Sequence, residues 1–250
     1  MQATIMRDCE HLELIDSWEQ QNEIIENYIK EKAIAGEVLQ ILEAGCGQKW
    51  DLNLDDIHYV LTGVDLDKAA LEIRKNIKKD LHEVIEGDLR SVKLPNNQYD
   101  VIYNSFVLEH IDDAGKVLNN FIDWTKPKGL IIICIPDPNS VYGFITRVTP
   151  HWFHILCYRL LGDKNAGKVG YGPYPTIYDP VVSRNGIHKF CNSNNLTILA
   201  EYGDGFFRPG KHIVRFFIHS VKQVISLLSF GLLSSRHTNL LYIIQKQDVA

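Results

Sequence analysis

The sequence predicts an α/β protein built around a doubly wound, mostly parallel sheet. Three observations support this prediction. Short apolar runs alternate with helical patterns over roughly the first 136 residues, as in repeated strand–helix units. The run at residues 130–135 is apolar at every position, which is typical of a parallel strand covered on both faces. Two further apolar runs near the carboxyl terminus can complete the sheet.

Each predicted element follows from a local pattern. A helix rich in Glu, Gln and Lys is expected over residues 16–35, because its apolar residues recur at helical spacing. Seven strands are expected, at residues 38–45, 58–65, 83–88, 99–106, 129–136, 196–203 and 239–247. Further helices are expected at residues 68–79 and 114–125.

The chain divides into a short N-terminal part and one main domain. Residues 1–36 are predicted to form an N-terminal helical segment, and residues 37–250 the main domain. After the fifth strand, residues of about 137–185 are rich in Tyr, Trp, His, Pro and Gly and predict an inserted cap or lid. An amphipathic helical insertion is predicted at about 206–236.

Composition excludes several classes of protein. The formal net charge of -5 gives no basic surface signal, so no nucleic-acid partner is expected. The five cysteines include no C-x-x-C pair, which argues against a disulfide framework and against a zinc site, and no metal is predicted. The N-terminus has no apolar run typical of a signal peptide. A cytoplasmic protein is therefore expected.

Residues 213–233 form a long apolar stretch that Arg215, His219 and Lys222 interrupt, so a spanning helix is not expected. At helical spacing its apolar residues fall on one stripe and the basic residues largely on the other side. We favour a helix that packs on the domain core. The alternative is peripheral contact with an anionic membrane surface, or a helix that guides a lipid-like substrate.

The loop after the first main-domain strand, Glu43-Ala44-Gly45-Cys46-Gly47, has the glycines that let a backbone turn tightly and approach a ligand. A dinucleotide site requires a third glycine where this chain has Trp50. The negative charge of Glu43 suits a cation better than a pyrophosphate. The loop therefore favours a ligand that carries an ammonium or sulfonium group.

Acids also end the next two strands. Asp65 follows the glycine loop by about twenty residues, the spacing at which an acid reaches ribose hydroxyls. Asp88 closes the third strand, where its carboxylate or the amide of Leu89 can contact an adenine amine. Three strand-end acids without a phosphate-binding Lys or third Gly predict an adenosine that is positively charged and carries no phosphate.

The segments ILEAGCG, GVDLD, EGDLRSVKLPNNQYDVIYNSFVLEHIDD and LNNFIDWTKPKGLIIICIPDP resemble those of class I S-adenosylmethionine-dependent methyltransferases, over residues 38–138. The VLEHIDD segment resembles the small-molecule branch, which includes quinone, lipid and sugar methyltransferases. The resemblance implies a Rossmann-like, seven-stranded sheet whose last strand is antiparallel. It also implies S-adenosyl-L-methionine as the cofactor. A departure lies at Lys49, where the family often has a third small residue.

The resemblance implies a role for each matching position. The methionine part of the cofactor is expected to lie among Glu43, Gly45 and Gly47, the ribose at Asp65 with Leu66 beside it, and the adenine at Asp88 and Leu89. The expected contacts near the sulfur are Asn104 and Ser105.

The expected reaction is methyl transfer to a small-molecule acceptor, chiefly at a hydroxyl oxygen, where a histidine can remove the proton. The catalytic candidates are His110, which borders the donor pocket, and His151 and His154, which lie in the aromatic insertion. A quinone or lipid and a sugar remain alternative acceptors. An NAD-dependent oxidoreductase and an inactive, donor-binding interaction module remain alternative functions. The sequence does not indicate an oligomeric state.

Overall fold

The computed structural model describes residues 12–34, 36–160, 162–168, 172–205 and 212–248, and for residues 212–219 it describes the backbone alone. Within these ranges one mixed sheet contains eight strands. In chain order they are β1 (Glu13–Ile15), β2 (Leu39–Ala44), β3 (Tyr59–Asp65), β4 (Glu83–Glu86), β5 (Tyr99–Ser105), β6 (Thr125–Pro136), β7 (Leu196–Asp204) and β8 (Asn239–Lys246).

Seven α-helices lie within the same described ranges. They are α1 (Trp18–Lys30), α2 (Lys68–Glu72), α3 (Ala114–Trp124), α4 (Val141–Val148), α5 (His151–Leu160), α6 (Arg184–Ser193) and α7 (His212–Leu228). Helix α2 continues as π-helical turns over Ile73–Lys78, and a single 3₁₀ turn covers Leu108–His110.

The strand order β1-β7-β8-β6-β5-β2-β3-β4 makes the sheet doubly wound. Strand β8 is antiparallel to both of its neighbours, β6 and β7, which confirms the prediction for the last strand. From β2 the chain moves outward through β3 and β4 and then returns to β5 on the other side of β2. The order therefore switches between β2 and β5, and a ligand crevice is expected beyond the carboxyl ends of these strands.

Helices cover both faces of the sheet. Alternate residues of β6 belong to separate apolar clusters, since side chains along a strand point to opposite faces. Ile132 packs in a cluster with Ile25 and Ile29 of α1, whereas Ile133 packs in a cluster with Phe121 of α3. All five side chains are fully buried. This burial explains why the central strands are apolar without alternation.

The strand count differs from the prediction by one. The additional strand β1 pairs in parallel with residues Tyr202 to Asp204 of β7. Three residues are too few to show a period of two, so no strand signal was present there. Residues 1–11 of the predicted N-terminal segment lie outside the described residues. Helix α1 is shorter than predicted and begins after Ser17, whose side chain accepts a hydrogen bond from Gln20 N.

The described residues between 137 and 183 leave the sheet and contain α4 and α5. The start of this insertion is fastened to the loop before β8, because His237 Nε2 donates to Asp137 Oδ2 at 2.7 Å in a buried position. Ser140 then caps α4 by accepting a hydrogen bond from Gly143 N. That this insertion acts as a cap remains a prediction.

Helix α7 forms most of the predicted amphipathic insertion, of which residues 206–211 lie outside the described residues. Exposed apolar side chains lie in the second half of α7 and just after it, namely Val221, Val224, Leu227, Leu228, Phe230 and Leu232. Lys222 is partly buried, and this burial lowers the pKa of its ammonium group. Among the helices of the described ranges, none is both long enough and apolar enough to cross a bilayer.

Candidate active site

The turn after β2 forms one wall of the candidate site. The φ angles of Gly45 and Gly47 are +77° and +52°, which glycine adopts without steric cost. A Cβ atom on Gly45 would lie 2.5 Å from Cγ2 of Val107, whereas a Cβ atom on Gly47 would meet no atom within 4 Å. The packing of Val107 therefore leaves no room for a side chain at Gly45. Gly47 borders open space in which a ligand can approach the backbone.

Asp65, at the end of β3, holds this turn in place. Its Oδ2 accepts a hydrogen bond from Gly47 N at 2.8 Å, and its Oδ1 accepts one from Asp67 N at 2.8 Å. Each carboxylate oxygen has a second lone pair. Asp65 can therefore hold the turn and still accept hydrogen bonds from the hydroxyl groups of a ligand.

Glu43 is buried and paired with a cation. Its Oε2 lies 2.7 Å from Nη2 of Arg74, whose guanidinium also donates to the Cys46 carbonyl and to Asp80 Oδ1. Burial raises the pKa of the Glu43 carboxyl, while the adjacent Arg74 cation opposes this rise and favours the carboxylate. Arg74 thus neutralises the Glu43 charge that was expected to face a ligand, and the ion pair anchors the turn. A direct contact between Glu43 and a ligand remains a prediction.

Asp88 is paired within its own turn after β4. Nη2 of Arg90 lies 2.6 Å from Asp88 Oδ2, and Arg90 N donates to Oδ1 at 2.8 Å. The bonds from the Arg90 side chain are the main reason that the pKa of Asp88 is lowered. Asn120 Nδ2 holds the next residue by donating to the Leu89 carbonyl at 2.8 Å. A ligand amine that contacts Asp88 must therefore share this carboxylate with Arg90.

These turns surround a cavity of about 370 Å³, which is within the size range of small-molecule sites. We call it the acidic cavity, because three aspartates and one arginine carry its charge. It is lined by Gly45, Asp65, Leu66, Gly87, Asp88, Leu89, Arg90, Val107, His110, Ile111, Asp112 and Ile177. Since Arg90 is paired with Asp88, the lining is negative overall. Such a cavity favours a cationic ligand over a phosphorylated one.

The predicted cofactor contacts divide into two groups. Those that line the acidic cavity are Gly45, Asp65, Leu66, Asp88 and Leu89. The others, Glu43, Gly47, Asn104 and Ser105, lie next to it or behind it. Asn104 is fully buried, and its Nδ2 donates to the Ala44 carbonyl at 2.7 Å, which ties the end of β5 to the glycine turn. Its Oδ1 has no hydrogen-bond partner among the described residues.

His110 lines the acidic cavity in a form that can accept a proton. Its Nδ1 lies 2.7 Å from the carbonyl oxygen of Pro175. A carbonyl only accepts, so Nδ1 carries the proton, and Nε2 keeps its lone pair in the neutral ring. Burial lowers the pKa of the imidazole, while the bond to Pro175 opposes this change. The ring is therefore neutral near pH 7.

The adjacent residue, Glu109, is a buried carboxyl group that was not among the predicted site residues. Its side chain is almost inaccessible, and within the described part of the chain its Oε2 has no hydrogen-bond partner. Its Oε1 lies 3.8 Å from His110 Nε2. Burial raises the pKa of Glu109 to about 8, so the carboxyl group is mainly protonated at neutral pH.

A second cavity, of about 400 Å³, is formed by α4, α5 and residues 175–178. We call it the basic cavity, because its lining contains one arginine and two histidines. The lining residues are Thr146, Arg147, Thr149, His151, His154, Pro175, Thr176, Ile177 and Tyr178. His151 and His154 therefore share one cavity, with ring centroids 6.0 Å apart, and they do not line the acidic cavity.

Residues 175–178 separate the two cavities, and Ile177 lines both. Ile177 N donates to the Glu109 carbonyl at 2.8 Å, and His110 holds the Pro175 carbonyl. On the other side, the hydroxyl groups of Tyr178 and Thr146 are hydrogen-bonded. Residues 175–178, which we call the separating segment, are thus held by hydrogen bonds on both sides.

Sequence reasoning missed several residues that shape the site. Arg74 is buried one helical turn after Ala70 and Leu71, so an arginine on the apolar side of this helix was an available signal. Val107 and Ile177 gave no comparable signal, because an apolar side chain in a loop does not reveal which cavity it faces.

A family model described as a methyltransferase domain matches residues 17–200. The probable S-adenosylmethionine-dependent methyltransferase of Mycolicibacterium smegmatis is 25% identical over 122 residues, which cover 48% of this chain and 46% of that protein. The malonyl-[acyl-carrier protein] O-methyltransferase of Halalkalibacterium halodurans is 29% identical over 111 residues, or 41% of each chain. The match thus spans less than half the length of these relatives.

The fold is also similar to that of solved structures. An S-adenosylmethionine-dependent methyltransferase from Mesorhizobium loti has a TM-score of 0.53 and 13% identity, with 88% of this chain and 96% of that chain covered. This likeness confirms the predicted fold class.

Proposed function

The chain belongs to the methyltransferase domain family, and from this premise we propose that it transfers a methyl group from S-adenosylmethionine to a small-molecule acceptor. The observation that carries the proposal is the acidic cavity at the switch in strand order, between the glycine turn and Asp65. An NAD-dependent oxidoreductase is disfavoured by the family match and by Trp50, which packs edge-on against Tyr103 at 5.8 Å.

The residues present fit this cofactor. The net negative lining suits a ligand that carries sulfonium and ammonium charges. Asp65 has lone pairs left for ribose hydroxyls, and Leu66 lines the cavity with an apolar side chain that is 68% exposed and available to an adenine ring. The open space at Gly47 allows the methionine part to approach the backbone.

When bound, S-adenosylmethionine supplies an activated methyl group on a good leaving group. The protein then has to orient the acceptor, exclude water and remove a proton where the acceptor is a hydroxyl. We assign the last task to His110, because its neutral ring presents Nε2 as a base while Nδ1 is held by Pro175. His151 and His154 lie across the separating segment, and a catalytic role for them would require contact with an acceptor in the basic cavity.

We propose oxygen as the methylated atom. Support comes from the unprotonated nitrogen of His110 and from the H. halodurans relative, which is named an O-methyltransferase. A hydroxylated or reduced quinone, another hydroxylated lipid, and a sugar all have suitable hydroxyl groups.

Calorimetric titration with S-adenosylhomocysteine tests the donor site, with NADH as the competing ligand. We expect S-adenosylhomocysteine to bind, and Asp65→Ala to weaken it about tenfold or more, since hydrogen bonds to a charged group are lost. Asp55→Ala, which removes an exposed acid elsewhere, is the matched control. Binding of NADH alone would overturn the proposal. Tight binding of S-adenosylhomocysteine without turnover on any acceptor would favour the inactive interaction module.

We also propose peripheral membrane contact through residues 213–233 and the turn that ends α7. The exposed Leu227, Leu228 and Phe230 support it, because such side chains can enter a membrane interface. Pelleting with anionic liposomes should fall for the double variant Leu227→Ser with Phe230→Ser. The matched control is Ile34→Ser with Ile77→Ser, which also removes two exposed apolar side chains. Equal pelleting of both variants would contradict the proposal.

A further inference from the structure

We propose that the basic cavity binds an anionic group of the acceptor, a phosphate or a carboxylate, while the part to be methylated lies toward the acidic cavity. This inference rests on the proposed methyltransferase function and specifies its substrate class. It concerns residues of α4, α5 and the separating segment, none of which is a predicted cofactor contact.

The charge of the lining is the first argument. Among the described residues that line the basic cavity there is no Asp or Glu, whereas Arg147 carries a permanent positive charge. No carboxylate of the described ranges forms an ion pair with Arg147, whose guanidinium carbon lies 6.0 Å from the centroid of the Phe144 ring. A cavity with an arginine and without a counter-ion attracts an anion.

The hydrogen-bond donors are the second argument. The hydroxyl of Thr149 donates to the Ile145 carbonyl at 2.7 Å, so it must accept the bond from His154 Nε2, also at 2.7 Å. This fixes the proton of His154 on Nε2 in the neutral ring. Burial and the neighbouring His151 lower the pKa of His154, whereas a bound anion would favour the protonated ring, whose other nitrogen is then an additional donor.

His151 contributes an unsatisfied nitrogen. Its Nδ1 is inaccessible to solvent and has no hydrogen-bond partner in the described part of the chain. A buried polar atom without a partner is costly. A turn of the ring that brings Nδ1, carrying a proton, to the cavity would let an anion supply the missing partner. The two histidines and Arg147 thus offer three nitrogen-based groups to one anion, with threonine and tyrosine hydroxyls around them.

The position of the basic cavity links it to the proposed reaction. Ile177 lines both cavities, and the Pro175 carbonyl, which belongs to the lining segment of the basic cavity, fixes the ring of His110 in the acidic one. An acceptor whose anionic group is bound in the basic cavity would therefore have only residues 175–178 between that group and His110. The anion would set the orientation of the acceptor.

The test uses the whole chain with and without S-adenosylhomocysteine. The histidine ring signals are followed by NMR and assigned by single substitution. Inorganic phosphate and malonate are titrated separately through the millimolar range, against sodium chloride of matched ionic strength to remove screening effects. We expect saturable shifts of the His151 and His154 signals with phosphate, malonate or both. A response to one anion identifies the phosphate or the carboxylate class.

The variant Arg147→Gln should weaken this binding about tenfold or more, since a charge-assisted hydrogen bond is lost, and Arg147→Lys should retain part of it. The matched control is Lys164→Gln, which removes an exposed charge from the same insertion and should leave the shifts unchanged. Equal binding by wild type and Arg147→Gln, or shifts no larger than those with chloride, would overturn the inference.

Binding of S-adenosylhomocysteine is measured on the same samples and keeps the two proposals apart. Donor binding without a specific anion response would refute the anionic acceptor and leave the methyltransferase proposal standing. An anion response that Arg147→Gln abolishes, in a protein that does not bind S-adenosylhomocysteine, would support the anion site and refute the donor site.

Discussion

The two cavities on either side of residues 175–178 differ in both charge and construction. The acidic cavity is built at the ends of sheet strands, and backbone groups such as Gly47 N hold its carboxylates. The basic cavity is built from helices outside the sheet, and side chains such as Thr149 and His154 hold one another. The sheet therefore fixes the proposed donor site, whereas the insertion supplies the proposed acceptor contacts.

Loss of the buried cation beneath the acidic cavity is expected to have the largest effect. Arg74→Met leaves the buried Glu43 carboxyl without its partner and releases the Cys46 carbonyl, so we expect a loss of about 3–5 kcal/mol in the free energy of unfolding. Chemical denaturation measures it. Binding of S-adenosylhomocysteine should also be lost, because Arg74 anchors the glycine turn.

A second arginine of the same cavity provides the control. Arg90→Met breaks an ion pair of which both partners are partly exposed, so a change of less than about 1 kcal/mol is expected. The double variant Glu43→Gln with Arg74→Met should recover part of the lost stability, since no charge then remains buried alone. Equal losses for Arg74→Met and Arg90→Met would show that the sheet end does not depend on the buried pair.

The two glycines of the turn allow a sharper test. Gly45→Ala is expected to cost about 3 kcal/mol, because the positive φ is unfavourable and the new Cβ meets Val107. Gly47→Ala has only the backbone cost of about 1–2 kcal/mol, since nothing lies near its Cβ. In the proposed site it should instead weaken S-adenosylhomocysteine, with stability and calorimetry measured side by side. A larger loss of stability for Gly47→Ala would be inconsistent with this geometry.

The same difference in construction explains which parts of the fold and of the candidate site could be predicted from the sequence. Asp65 and the glycine turn were predictable, because they end strands whose apolar patterns are local. The pairing of Glu43 with Arg74 was not, since it joins two elements 31 positions apart in the chain. His151 and His154 were recognised as candidates, but only the folded insertion shows that they share a cavity.

The last expected effect depends on pH and concerns Glu109, whose carbonyl supports the segment between the cavities. The pKa of its carboxyl is about 8 in the folded protein and near 4.5 in the unfolded chain, so the folded state holds the proton more tightly. Its contribution to stability is complete below pH 4.5 and is lost as the pH rises through 8. One pKa unit corresponds to about 1.4 kcal/mol. We expect about 2 kcal/mol across this window, because relaxation around the carboxylate offsets part of the burial cost.

Denaturation of wild type and Glu109→Gln from pH 5 to pH 8.5 measures this contribution. The amide cannot ionise, so the variant should lose less stability than the wild type as the pH rises. The raised pKa values of Glu43 and Asp204 act in both proteins and cancel in the difference. Parallel pH profiles would mean that Glu109 is already ionised in the folded protein. In that case the residue whose carbonyl holds the segment between the cavities would be charged. Its negative charge would add to that of the aspartates that line the acidic cavity.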